Sequence, residues 1–140
     1  MKNTLSYIIL VVCTLCACND GLNINQVYSF ELQTMPVPKR IIQGETVEIR
    51  CEIVKSGNYA GNTFYIRFFQ MDGKGALQLD DGRIMLPNDL YPLKKDVFRL
   101  YFTSHSAEQH VIDIYIVDSF GQTVHKNFSF SNETVNNKDE

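Results

Sequence analysis

At 140 residues, with 44% apolar and 21% charged composition, the chain has room for one globular domain, which buries about two-thirds of its unfolded surface and needs no disulfide framework. A formal charge of −3, with no basic cluster larger than Lys39-Arg40 or Lys94-Lys95, argues against nucleic acid as a direct partner.

Residues 1–17 form a unit of their own. Lys2 gives a positive start, Tyr7 to Ala17 is a short apolar run, and Leu15-Cys16-Ala17-Cys18 closes it. A membrane-crossing helix needs ~20 apolar residues, so this run reads as a secretory signal. Its ending resembles the bacterial lipobox, in which a Leu and two small residues precede a Cys that takes a diacylglyceryl group. Cys18 is therefore the expected lipidated N-terminus of the mature chain. Acyl chains contribute ~0.8 kcal/mol per buried methylene, and two or three of them hold a protein on a membrane essentially permanently. Removal of the signal takes away Lys2 and no acid, so the charge becomes −3 − 1 = −4. The expected location is the cell envelope, anchored to the outer membrane, with the domain in the periplasm or at the surface.

Asn19 to Gln26 is polar, and residues 18–26 read as a tether. Val27 to Met35 alternates, with Tyr28, Phe30 and Leu32 on one side, which predicts the first strand. Pro36 and Pro38 cannot donate to a ladder and predict an edge or a kink where the chain changes sheets. Thr46 to Val54 places Val47, Ile49, Cys51 and Ile53 inward and Glu48, Arg50 and Glu52 outward. After a turn-rich loop, the aromatic content of Thr63 to Gln70 predicts a strand in the middle of a sheet. Ala76 to Leu79 and Arg83 to Leu86, flanked by Asp-Gly turns, read as short edge pieces. Pro87 to Leu93 reads as an irregular crossing between sheets. Val97 to Thr103 is the next strand, with Phe98, Leu100 and Phe102 on one face.

The last hairpin is the clearest element. Ile112, Ile114 and Ile116 share one face, Val124, Phe128 and Phe130 share one face, and Asp118-Ser119-Phe120-Gly121 joins the two strands. Ser131 to Glu140 holds a single large apolar residue, Val135, and reads as a disordered tail. Seven or eight short strands between turn signals predict an all-β, immunoglobulin-like two-sheet antiparallel sandwich over 27–130. The chain has no Trp and Cys51 has no facing cysteine, so no inter-sheet disulfide is expected and the likeness is architectural.

Sites of chemistry are sparse. His105, His110 and His125 lack metal-ligand spacing and read as surface residues. Cys51 lies on an apolar face and reads as an inert buried thiol. Asp72-Gly73-Lys74-Gly75 and Asp80-Asp81-Gly82 are too short in ligands for a calcium cage and read as hairpin turns. The chain is not expected to be an enzyme, and no cofactor or metal is expected. Met35 to Arg40 combines a proline-stiffened backbone with a compact cationic pair. Pro36, Pro38, Lys39 and Arg40 are therefore the candidate partner contact, the alternative being a kink with solvated charges.

Several long strings resemble the TraQ family of conjugative-transposon transfer proteins of Bacteroides-type bacteria. They are TMPVPKRI (Thr34 to Ile41), GETVEIRCEI (Gly44 to Ile53), IRFFQMDGKG (Ile66 to Gly75), LPNDLYPL (Leu86 to Leu93), VFRLYFTS (Val97 to Ser104) and VIDIYIVDSFGQ (Val111 to Gln122). The resemblance covers nearly the whole mature domain. It implies a β-sandwich lipoprotein of a conjugation apparatus that binds other apparatus proteins, without direct contact to DNA and without catalytic residues to carry over. A second class, an extracytoplasmic module binding a glycan or an adhesion ligand, predicts a concave aromatic-lined site instead. No oligomeric state follows from the sequence.

Overall fold

The computed structural model describes residues 27–134, so the signal 1–17, Cys18, the tether 18–26 and the tail from residue 135 onward lie outside the described residues. Ten strands follow in order: β1 Phe30–Thr34, β2 Arg40–Ile41, β3 Thr46–Lys55, β4 Phe64–Asp72, β5 Gly75–Leu79, β6 Ile84–Met85, β7 Tyr91–Leu93, β8 Val97–Ser104, β9 His110–Asp118 and β10 Thr123–Asn132. They form two five-stranded sheets, β1-β3-β8-β5-β6 and β2-β10-β9-β4-β7. Pairing is antiparallel except between β10 and β2, where Ser131 faces Arg40 and Asn132 faces Ile41 in parallel. This is the two-sheet sandwich that the alternating pattern predicts.

Alternation explains the core directly, since successive side chains in a strand point to opposite faces. Val47, Ile49, Cys51 and Ile53 of β3 meet Phe98, Leu100 and Phe102 of β8 on the inner face of one sheet. Ile112, Ile114, Ile116, Phe128 and Phe130 line the inner face of the other. The Phe102 and Phe130 rings stack across the gap at 5.6 Å. The β9–β10 turn closes on Asp118, whose Oδ1 accepts from Phe120 N at 3.0 Å and Gln122 N at 2.7 Å. Its other oxygen accepts from Gln122 Nε2 at 2.7 Å, and the carboxylate is almost fully buried.

Three expectations need correction. His110 is not a surface residue: it is fully buried, its Nε2 lies 2.7 Å from Ser104 Oγ, and its ring sits edge-on to Phe102. Strand β5 is not an edge piece, because it lies between β8 and β6 and buries Leu77 and Leu79. By contrast, strand β4 lies inside its sheet as expected, between β9 and the three-residue edge strand β7. The tail begins later than expected, since Ser131 and Asn132 extend β10 and Glu133 N donates to Ile41 O at 3.0 Å.

The irregular segment after β6 does cross between sheets, as β6 and β7 belong to different ones. It is pinned by Asn88 N to Phe68 O at 2.9 Å and by the Tyr91 hydroxyl, which accepts from Leu86 N at 2.8 Å.

Candidate interaction surface

The segment from Met35 to Arg40 carries the chain from the β1 edge of one sheet to the β2 edge of the other. Met35 N still donates to Arg50 O at 3.1 Å, one residue beyond the end of β1. Pro36 and Pro38 then break the ladder, Val37 packs against the core, and Ser131 N donates to Lys39 O at 2.8 Å where β2 begins. Pro36, Pro38, Lys39 and Arg40 are all exposed. The guanidinium of Arg40 reaches Glu133 at 4.0 Å with both side chains largely in solvent, an ion pair that contributes little to stability. Because two prolines supply no N–H, this rim presents side chains rather than a pairing edge.

Beside it lies the outer face of the first sheet. Arg50 and Arg99 stand directly opposite each other in the β3–β8 register, an arrangement that costs energy without a counter-ion. Glu48 supplies it: Oε1 accepts from Arg50 Nε at 2.8 Å and lies 3.3 Å from Arg99 Nε. The hydrogen bond from Arg50 holds the Glu48 carboxyl below the usual carboxylate range. Two open clefts flank this cluster. One of about 270 Å³ is lined by Met35, Pro36, Glu48 and Arg50, and one of about 320 Å³ includes Gln33, Met35, Glu52 and Val97. Met35 and Val97 are 59% and 63% exposed, so apolar surface stands in solvent between charged groups. Through Met35 and Pro36 the segment borders Arg50 and Val97, and through Glu48 it borders Arg99, three residues that sequence reasoning did not single out. Their joining depends on the β3–β8 register, which local alternation does not encode.

The outer face of the second sheet carries a row of rings. Tyr115 stacks on His125 at 4.6 Å and meets Phe69 edge-on at 5.7 Å, with Arg67 over Phe69. Asp113 accepts from Asn127 Nδ2 at 2.7 Å and lies 3.0 Å from His125 Nε2, and these partners hold its carboxyl below the ordinary range. The row lies on a sheet face, whereas a third cleft of about 290 Å³ is lined by Asp80, Asp81, Arg83, Lys94, Lys95, Leu93 and Phe98 among others. Among the described residues, this aromatic row lies on an open sheet face and not in one of the three clefts. His105 is exposed, and Cys51 is a free, buried thiol pushed up to about 12 by its apolar surroundings. Among the described residues no three His, Cys, Asp or Glu side chains group as metal ligands. Asp81 binds Arg83 through its backbone N and Nε, as a hairpin turn does.

Residues 2–133 match the model of the TraQ conjugal transfer protein family. Among solved structures, the chain is similar to a conjugative transposon lipoprotein from Bacteroides eggerthii, with 42% identity and a TM-score of 0.71 over 76% of this chain and 100% of that one. A lipoprotein from Bacteroides thetaiotaomicron is 45% identical, with a TM-score of 0.70 over 87% of this chain and 98% of that one. A conjugate transposon protein from Bacteroides vulgatus is 41% identical, with a TM-score of 0.68 over 86% and 97%. No functionally curated protein matches the chain. The family match over nearly the whole chain, with relatives above 40% identity that align over nearly their full length, establishes that this chain belongs to the TraQ conjugal transfer protein family.

Proposed function

We propose that the chain is a membrane-anchored lipoprotein of a conjugative-transposon DNA transfer apparatus, acting without catalysis through contacts with other apparatus proteins. The observation that carries this reading is the family match over residues 2–133. It is supported by the lipoprotein and conjugative-transposon descriptions of the similar structures and by the lipobox ending at Cys18. The rim of Met35, Lys39, Arg40, Arg50 and Val97 is the surface assigned to a partner, with exposed apolar groups for burial and cations for pairing with acids. Two prolines limit the conformational entropy lost on docking.

The test uses cells deleted for this gene and complemented in trans. Wild-type protein should restore transfer, whereas Cys18→Ser should accumulate as an unprocessed precursor, leave the outer-membrane fraction and fail to restore it. A Cys18→Ser protein that is still trimmed after Ala17, still anchored and fully active in transfer would refute the anchored reading.

A further inference from the structure

Strand β10 is ten residues long, and the two-residue β2 pairs with Ser131 and Asn132 alone. Residues of an antiparallel strand alternate between bonding their neighbour and facing the other way. Ser131 N donates to Lys39 O at 2.8 Å and Glu133 N donates to Ile41 O at 3.0 Å, so the odd-numbered residues of β10 turn their backbone groups away from β9. Thr123, His125, Asn127 and Ser129 therefore offer N–H and C=O groups to the open side of the sheet. None of them has a backbone partner there among the described residues.

The other free edges are short or blocked. Strands β6 and β7 have two and three residues, and β7 carries Pro92. Strand β1, of five residues, runs out at Pro36. From Thr123 to Phe130, β10 has neither proline nor bulge, and its guard is one charge turned inward, Lys126, on the face of Val124 and Phe128. Inward charges on an edge strand deter indiscriminate pairing. Lys126 is half-buried, and its ammonium acts on the Cys51 thiol across the gap between the sheets. Among the described residues it enters no ion pair and no hydrogen bond. A cation held partly out of water without a counter-ion gains from an acid brought beside it.

We propose that the open side of β10 receives an extended segment of another protein, which adds a strand to this sheet and sets a carboxylate opposite Lys126, between apolar residues opposite Val124 and Phe128. Main-chain hydrogen bonds hold such a segment, and its alternate side chains select it. Directly opposed side chains on one face lie about 5 Å apart at Cβ, within reach of an ion pair. A second copy of this chain does not fit, because its edge strands turn no acid inward. Strand β1 buries Phe30 and Leu32, β6 buries Met85, β7 packs Tyr91 and Leu93 against the core, and β10 would only repeat the lysine. The site is distinct from the contact assigned to Met35 to Arg40 and depends neither on it nor on the anchor.

Amide hydrogen exchange of the full-length, acylated protein in detergent, read residue by residue by NMR, tests this. The probe is a short peptide of alternating threonine and valine whose central valine is replaced by glutamate, and a twin with lysine at that place is the control. In the free protein the amides of His125, Asn127 and Ser129 should exchange fast, and those of Lys126 and Phe128, which face β9, slowly. With the glutamate peptide at about ten times its Kd the three fast amides should slow about tenfold, while the lysine peptide leaves them fast. Lys126→Glu should reverse that choice. Asn127→Pro removes a donor that no ladder bond uses, so the amides facing β9 should stay slow while the glutamate peptide loses its effect. Protection of His125, Asn127 and Ser129 in the free protein would mean that the chain's own residues or a second copy already fill the edge, and it overturns the proposal. Equal slowing by the two peptides, or none by the glutamate peptide, overturns it as well.

Discussion

Cys51 offers the sharpest check on the register of the core. It lies in β3 between Ile49 and Ile53, opposite Phe98 of β8 and Thr34 of β1, and is 2% exposed. Burial pushes the thiol from its ordinary 9.0 up to about 12, with the nearby Lys126 ammonium pulling weakly the other way. At pH 8 the thiolate fraction falls from about a tenth to about one in ten thousand, so ionisation alone slows labelling ~1000-fold. Exclusion of the reagent slows it further. With the signal removed and Cys18 acylated, as proposed, Cys51 is the remaining thiol. It should react with an aromatic disulfide reagent only as fast as the domain opens, and at once in denaturant. Cys51→Ala leaves a small cavity and should cost about 1 kcal/mol, or roughly 4–8 °C in Tm, whereas Cys51→Asp buries an unpaired charge and should cost several kcal/mol. The sign of the pH dependence follows from the raised value: the folded state holds the proton more tightly. Its contribution is complete below about pH 9 and is lost as pH rises toward about 12. Rapid native labelling, or an Asp variant as stable as Ala, would refute the register, because a slip of one residue turns the whole set outward.

Asp118→Ala should strip the β9–β10 turn of the acceptor for Phe120 N, Gln122 N and Gln122 Nε2, at a cost of roughly 1–3 kcal/mol that chemical denaturation measures directly. Asp113 gives an acid-side signature. Its carboxyl is held low by Asn127 and then His125, so its contribution is present above about pH 4 and lost as pH falls through the lower folded value. Asp113→Asn should flatten that limb of a stability–pH profile, and an unchanged limb would show that these partners do not act on folding.

Long elements were legible because alternation over eight to ten residues leaves one solution for the buried face, as in β3, β8, β9 and β10. Strands β2, β6 and β7 were not, since two or three residues carry no period. The interior place of β5 depends on pairing with β8, more than twenty residues away in sequence, and no local pattern encodes sheet order. The parity of β9 did hold the signal for His110 and Asp118: both share the face of Ile112, Ile114 and Ile116, yet their polarity suggests solvent. Burial of the two is offset by partners, Ser104 for the ring and the turn amides for the carboxylate. Similarly, Pro36, Pro38, Lys39 and Arg40 were visible as an exposed cationic segment, but its continuation from Met35 to Arg50 and Val97 required the fold.

The central claim is that this rim contacts the transfer apparatus, and transfer frequency with Lys39→Ser and Arg40→Ser combined tests it most directly. Exposed charges contribute little to folding, so Tm, abundance and membrane anchoring should match wild type. The account predicts a marked fall in transfer and loss of the partner captured by a photo-crosslinker placed at Met35. Normal transfer at normal protein level, with the same crosslinked species recovered, would contradict it and leave the segment as a sheet-switching kink.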